Sequence, residues 1–336
     1  MTAPRSTERG GVALPMALLV LLAAAFVAAT LADLVRSEIV VARARRTMAS
    51  GLAAVDACVA RACAALPAGF DQAAALAGPD GASGTADDGV VAVPAACTAV
   101  LRAGPLGATR PFLDVAATVA GGGRRVRAIV GQSSSPTPAL VWATDAASLG
   151  TVGGRLALEG ADAMRPDLPP LAALAAPVDP TVLDAWVAGA ATLAADTGAP
   201  IHAPAPPLAA LAARLAALGA APLFVPAAAA PPPALYAVAG DLVVASAGVG
   251  TGLLLVERRL DIQADFAFNG LVVAAGGVRL ASGVALRIDG ALWLGGAPAF
   301  DVLGDATVHY DRAALDGVDG LVTLPRPAAV VGLEDR

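Results

Sequence analysis

The stretch VALPMALLVLLAAAFVAATLA, residues 12–32, decides how the chain must be read, because its 21 residues carry no charge. At about 1.5 Å per residue a helix of that length spans about 30 Å, the thickness of a bilayer's hydrocarbon core. The helical pattern does not stop there. Residues 33–66, DLVRSEIVVARARRTMASGLAAVDACVARACAAL, lack proline, and Leu34, Ile39, Val41, Met48, Leu52, Val55, Val59 and Leu66 recur at roughly helical spacing. Gly51 is the weak point and Pro67 with Gly69 is the stop. The reading is one rod from Val12 to Leu66, about 80 Å long. A secretory signal peptide is the competing reading, with small residues at Ala28–Ala32 supplying its cleavage site.

Outward from this rod, composition narrows the partners. The net charge of −6, with no lysine, argues against nucleic acid, which needs a basic surface. The two histidines, His202 and His309, are too far apart in sequence to suggest a metal cluster. The three cysteines, Cys58, Cys63 and Cys97, allow at most one internal disulfide.

The start of the apolar run, Arg9-Gly10-Gly11-Val12-Ala13-Leu14-Pro15-Met16-Ala17-Leu18-Leu19, resembles that of PilX-like type IV pilus assembly proteins, a minor pilin family. The resemblance implies that a prepilin peptidase cuts between Gly11 and Val12, with Gly10/Gly11 as the alternative, and that the new N-terminus is methylated. It also implies packing against other pilin subunits through the helix. Met16 stands at the fifth mature position, where major pilins carry glutamate, and this points to a low-copy or tip-proximal subunit. Arg36, Arg43, Arg45 and Arg46 follow the run and outnumber Arg5 and Arg9 before it, so charge counting alone would place the C-terminal side in the cytoplasm. The resemblance and the cysteines favour the opposite orientation: a single pass through the inner membrane, the head in the periplasm, and later a place in the pilus or on the cell surface.

Residues 78–89, GPDGASGTADDG, place Asp80, Asp87 and Asp88 among glycines. The stretch resembles loops of exported bacterial proteins, pilin-like ones included, in which calcium sites occur. Calcium takes several oxygen ligands at flexible positions, so these three carboxylates are its candidate ligands and calcium the one candidate cofactor. A solvated turn is the alternative. Cys97 follows, and a disulfide from it to Cys63, or to Cys58, would tie the loop to the end of the long helix, as an exported domain allows.

Residues 112–119 and 124–130 alternate about Gly121-Gly122-Gly123 and predict a β-hairpin. SSSPTP (133–138) reads as a linker, followed by strand-like runs around Leu140-Val141-Trp142 and Leu156-Ala157-Leu158. Two helices, about 180–194 and 207–219, sit among prolines in an apparent insertion or lid. From Ala234 to Tyr310, short apolar strands recur between turns, among them Leu242-Val243-Val244, Leu271-Val272-Val273 and Leu292-Trp293-Leu294. Strands of three to four residues fit the rungs of a small parallel β-solenoid. The block FAFNGLVV (266–273) also resembles the C-terminal region of the PilX-like family.

The expected fold is α+β. A leader (1–11) precedes the membrane and pilin-like helix (12–66), and a β-rich head with the acidic loop follows (67–164). A Pro-rich helical insertion (165–233), a solenoid-like domain (234–315) and a C-terminal tail (316–336) complete the chain. Asp261, Asp265, Asp289 and Glu257 are scattered in sequence and no catalytic constellation appears, so an enzyme is not expected. The expected function is a minor pilin-like structural subunit in pilus assembly or tip display. The alternatives are a secretion-system pseudopilin and a membrane-anchored solenoid adhesin or glycan-binding module.

Overall fold

The computed structural model describes residues 13–66, 75–78, 80, 82–93, 95–104, 107–119, 122–133, 135–145, 149–162, 169–194, 196–296 and 300–335. The leader, Gly11, Val12, Pro67 and Gly69 lie outside them. Helix α1 runs unbroken over Ala13–Ala65, 53 residues. Its last turns pack on an antiparallel sheet made of β1 (Val90–Val91), β2 (Cys97–Gly104), β3 (Gly107–Val119), β4 (Gly122–Gln132) and β19 (Ala328–Asp335) in that spatial order. The predicted hairpin is β3–β4, with Val115 opposite Val126.

The remaining strands and three further helices form a second body with its own apolar core. Parallel strands β10 (Ala234–Val238), β12 (Gly248–Val256), β14 (Phe266–Ala274), β16 (Ala285–Leu294) and β18 (Asp305–His309) stack on one side. Strands β11 (Leu242–Val244), β13 (Leu260–Ile262), β15 (Val278–Leu280) and β17 (Phe300–Val302) stack on another. This is the expected solenoid, but three of its strands are more than twice the expected three to four residues: β12 and β14 have 9 and β16 has 10. The reason is a glycine corner inside each. Gly252, Gly270 and Gly290 lie in register, each with positive φ, so the backbone bends there without leaving the hydrogen-bonded ladder. A Cβ on Gly270 would sit 2.0 Å from the carbonyl oxygen of Gly252, which excludes any other residue from the column.

The expected boundaries change in three places. First, the solenoid does not begin at 234. Strand β16 spans a corner, so its first half pairs with β18 and its second half with β5 (Ala139–Ala143). Strands β6 (Arg155–Glu159), β7 (Ala172–Ala176), β8 (Thr192–Leu193) and β9 (Ile201–His202) continue the stack outward from there. Second, 165–233 holds strands as well as its two expected helices. It supplies rungs, with α2 (Pro180–Ala190) and α3 (Leu208–Ala217) packed on them through Leu183, Val187, Leu211 and Leu215. Third, 316–336 is not a tail. It contains most of α4 (Arg312–Leu321), which covers β10, β12, β14 and β16 and buries Leu315 and Val318, and all of β19. Because β19 pairs with β4, and Ser133 N–H donates to Pro327 C=O (2.8 Å), the solenoid is inserted between two neighbouring strands of the first sheet.

At the solenoid's centre Trp142 and Trp293 are fully buried edge to face, 4.9 Å apart. Burial costs an indole its N–H hydration, and both are compensated: Trp142 donates to the Pro204 carbonyl and Trp293 to the Thr137 hydroxyl.

Candidate functional site

The features that set this chain apart lie along α1 and the sheet it meets. In the last turns Val55, Cys58, Val59, Ala62 and Leu66 are buried, at the three- and four-residue spacing of one helix face. They meet Ala99 and Leu101 of β2, Leu113, Val115 and Ala117 of β3, and Ala128 and Val130 of β4. Each of Val55, Val59 and Leu66 contributes about 1.5–3 kcal/mol by this burial.

The N-terminal part of the same helix has no such cover. Every described large apolar side chain from Met16 to Leu52 is exposed, Phe26 by 71%. Of the residues expected to form one continuous stripe, Leu34, Ile39, Val41, Met48 and Leu52 are exposed and only Val55, Val59 and Leu66 are buried. The helix is long and apolar enough to cross a membrane. Among the described residues its stretch Leu34–Ala65 meets that measure, with a mean hydropathy of 1.4 and a third buried within the protein. The uncharged run before it contains the shorter apolar stretch Met16–Val27. Arg36, Arg43, Arg45 and Arg46 stand exposed beyond it.

The disulfide joins Cys58 to Cys97, with the Cα atoms 5.8 Å apart and a sequence separation of 39. This corrects the first expectation, Cys63 with Cys97, in favour of its alternative. The physical reason is helical phase. Cys58 lies on the buried face with Val55, Val59 and Ala62, whereas five residues on, Cys63 has turned about 140° away from Cys58. Cys63 is a free, half-buried thiol whose pKa burial pushes up to about 11, so it stays protonated at neutral pH.

The acidic loop is held by its own carboxylates. Asp88 accepts from the N–H groups of Gly84 (2.7 Å) and Thr85 (3.3 Å), and Asp80 accepts from Ala82 N–H (2.9 Å). The Thr85 hydroxyl approaches Asp87 (2.8 Å) and Asp88 (3.1 Å). The Gly84 N–H, with those of Thr85, keeps the Asp88 carboxyl below the usual carboxylate range. Among the described residues no group of three or more His, Cys, Asp or Glu side chains is placed to hold a metal ion. The structure thus does not gather Asp80, Asp87 and Asp88 into one ligand set, and a cation there would compete with the N–H donors for the same oxygens.

Of the scattered solenoid acids, Asp261, Asp265 and Asp289 have local partners. Asp265 accepts from Ala285 N–H (2.9 Å) and Asp261 from the Gln263 amide (2.8 Å). Asp289 takes a two-pronged contact from Arg287, and His309 Nδ1 lies 3.3 Å from it without hydrogen-bond geometry. Asn269 stands exposed between Thr251 and Asp289 in the stack. His202 has its Nδ1 2.8 Å from the Val178 carbonyl.

Sequence reading missed the outer face of the first sheet, the side away from α1. There Thr98, Val100, Arg102, Asp114, Ala116, Arg125 and Arg127 border a groove of about 740 Å³. Arg127 pairs with Asp114 through Nε (2.6 Å) and Nη2 (3.0 Å), and Arg102 Nε lies 3.3 Å from the same carboxylate. The period-two spacing of Thr98, Val100 and Arg102, and of Arg125 and Arg127, was the signal that puts them on one face.

No known protein family matches the chain, and no curated protein matches it. Among solved structures it is similar to the competence-associated pilin ComZ from Thermus thermophilus. Identity is 12%, with 74% of this chain and 84% of that one covered and a TM-score of 0.22. A likeness that weak carries no argument about this chain.

Proposed function

We propose that this chain is a minor pilin-like structural subunit. A prepilin peptidase removes the leader between Gly11 and Val12. The helix first anchors the chain in the inner membrane with the head in the periplasm, then packs with other pilin subunits. The inserted solenoid is displayed at the filament tip or surface. The work is packing and display, not chemistry.

One observation carries this reading. A single helix is bare and apolar at its N-terminal end and is the core element of a folded sheet at the other. A cleaved signal peptide needs no continuity with the fold that follows it. A helix that must leave lipid and enter a bundle with its head attached needs that continuity, and the Cys58–Cys97 bond secures it. The second reading, a fixed anchored display module, is favoured by the bare apolar end of α1 taken alone, which anchoring in a membrane accounts for without any filament. Shearing surface filaments from cells and probing for the chain separates the two. A subunit enters the sheared fraction, whereas a fixed anchor stays entirely with the membrane.

A further inference from the structure

We propose that Arg36 and Arg43 of α1 form a seat for the headgroup of an anionic phospholipid, at the point where the helix leaves the bilayer. Leu31, Val35, Arg36, Ile39, Val40 and Arg43 border one hollow on the helix. Arg36 and Arg43 are seven residues apart, about two turns, and so share a face. The hollow begins on Leu31, inside the uncharged run, and ends on the Arg43 guanidinium. A phospholipid lying beside a helix has the same order, acyl chain and then phosphate. Arg36 stands four residues, about 6 Å, past Ala32, within a headgroup layer of roughly 5–7 Å. Helical side chains lean toward the N-terminus, which brings Arg43 back toward the same layer.

Charge requires the occupant to be an anion, and α1 does not provide one. Arg36, Arg43, Arg45 and Arg46 are exposed, and none has an ion pair among the described residues. Glu38 is two residues from Arg36 and five from Arg43, not the three or four that would let it pair along the helix. A second α1 at the same level does not provide one either. Residues 33–46 hold four arginines against Asp33 and Glu38, so side-by-side copies add positive charge to positive. An anionic lipid brings the phosphate that a guanidinium fork binds in two prongs. The inference rests on the proposed anchoring of the uncharged run in lipid, and neither on entry into a filament nor on which leaflet the arginines face. It adds that anionic lipid resists withdrawal of the helix from the bilayer.

The test is native mass spectrometry of the full-length chain released from nanodiscs of equal phosphatidylcholine and phosphatidylglycerol, counting the lipids that stay bound. Phosphatidylglycerol should be retained in preference. Arg36→Gln and Arg43→Gln should each lower that preference about fivefold, the size expected for one arginine at a lipid surface, and together about 25-fold. Arg45→Gln, about 200° round the helix from Arg43, should leave it unchanged. All three arginines are exposed on the bare part of α1, so the substitutions leave the core of the head intact. No preference, or one indifferent to Arg36→Gln and Arg43→Gln, would overturn the proposal. An equal fall with Arg45→Gln would also overturn it, since diffuse charge would then suffice. So would inorganic phosphate that displaces the lipid at equal concentration, or a chain released as a lipid-free dimer, since a free anion or a second helix would then be the occupant. A preference found in chains that never enter sheared filaments sinks the filament reading alone, and its absence in chains that do enter them sinks the seat alone.

Discussion

The glycine column of the solenoid gives the sharpest energetic prediction, because two glycines of similar backbone conformation differ only in the space around them. Gly270 has φ +132° and faces the Gly252 carbonyl oxygen at 2.0 Å from an added Cβ. Gly240 has φ +115° and open space where its Cβ would go. Alanine at Gly240 therefore meets backbone strain alone, about 1–3 kcal/mol. Alanine at Gly270 meets the same strain plus a clash with backbone, which cannot rotate away, adding about 1–3 kcal/mol more. For a unit of this size about 2–4 °C of Tm is lost per kcal/mol. Gly270→Ala should thus lower Tm by about 10 °C and Gly240→Ala by about 5 °C. Trp142, Trp186 and Trp293 all lie in the solenoid, so tryptophan fluorescence reports that body by itself. Equal losses at the two positions would refute the claim that close strand-to-strand approach, and not φ alone, demands glycine in the column.

Other predictions concern the first body and its loops. Removing the disulfide with Cys58→Ala and Cys97→Ala opens a 39-residue span and should cost about 4 kcal/mol of loop-closure entropy. Amide exchange should then speed up in β1–β4 and β19 while the tryptophan-reported Tm stays put, and Cys63→Ala should leave both unchanged. Asp179 caps α2 by accepting from the Thr181 hydroxyl and N–H, and these hold its carboxyl below the usual range. A depressed carboxyl pKa stabilises above its unfolded value, about 3.9, and the effect is lost as pH falls through the folded one. Acidification should therefore fray the first turn of α2, and Asp179→Asn should flatten that pH dependence, as amide exchange at Val182 and Leu183 would show. If calcium uses the acidic loop, it should raise the melting temperature of the first body, and the rise should vanish in Asp87→Ala and Asp88→Ala. A rise that survives both substitutions rejects the loop as the site.

The elements with strong local signals were legible in the sequence. The rod was, because residues 12–66 contain no breaker beyond Pro15 near its start and Gly51, and so was the β3–β4 hairpin, because its strands alternate around glycines. The solenoid was legible from 234 onward, where apolar runs recur in sequence. It was illegible before that, because β5–β9 join the stack through long-range pairing with β16 and β18 and carry no repeat of their own. The role of β19 was hidden for the same reason: its partner β4 lies almost two hundred residues earlier, across the whole inserted body. Half of α1's apolar pattern was legible only as helix, since spacing marks a face without saying whether the protein, a membrane or another subunit covers it. The disulfide partner was decided by phase along α1, which the buried set Val55, Val59 and Ala62 fixes and cysteine counting does not.

In the proposed function α1 remains part of the mature protein, freed at its N-terminus by cleavage next to Gly11. Intact-mass and peptide spectrometry of the protein recovered from cells tests this most directly. The expected mature chain begins at Val12 and carries an N-terminal methyl group. A chain beginning near Asp33, with the apolar run removed as a signal peptide, would contradict it.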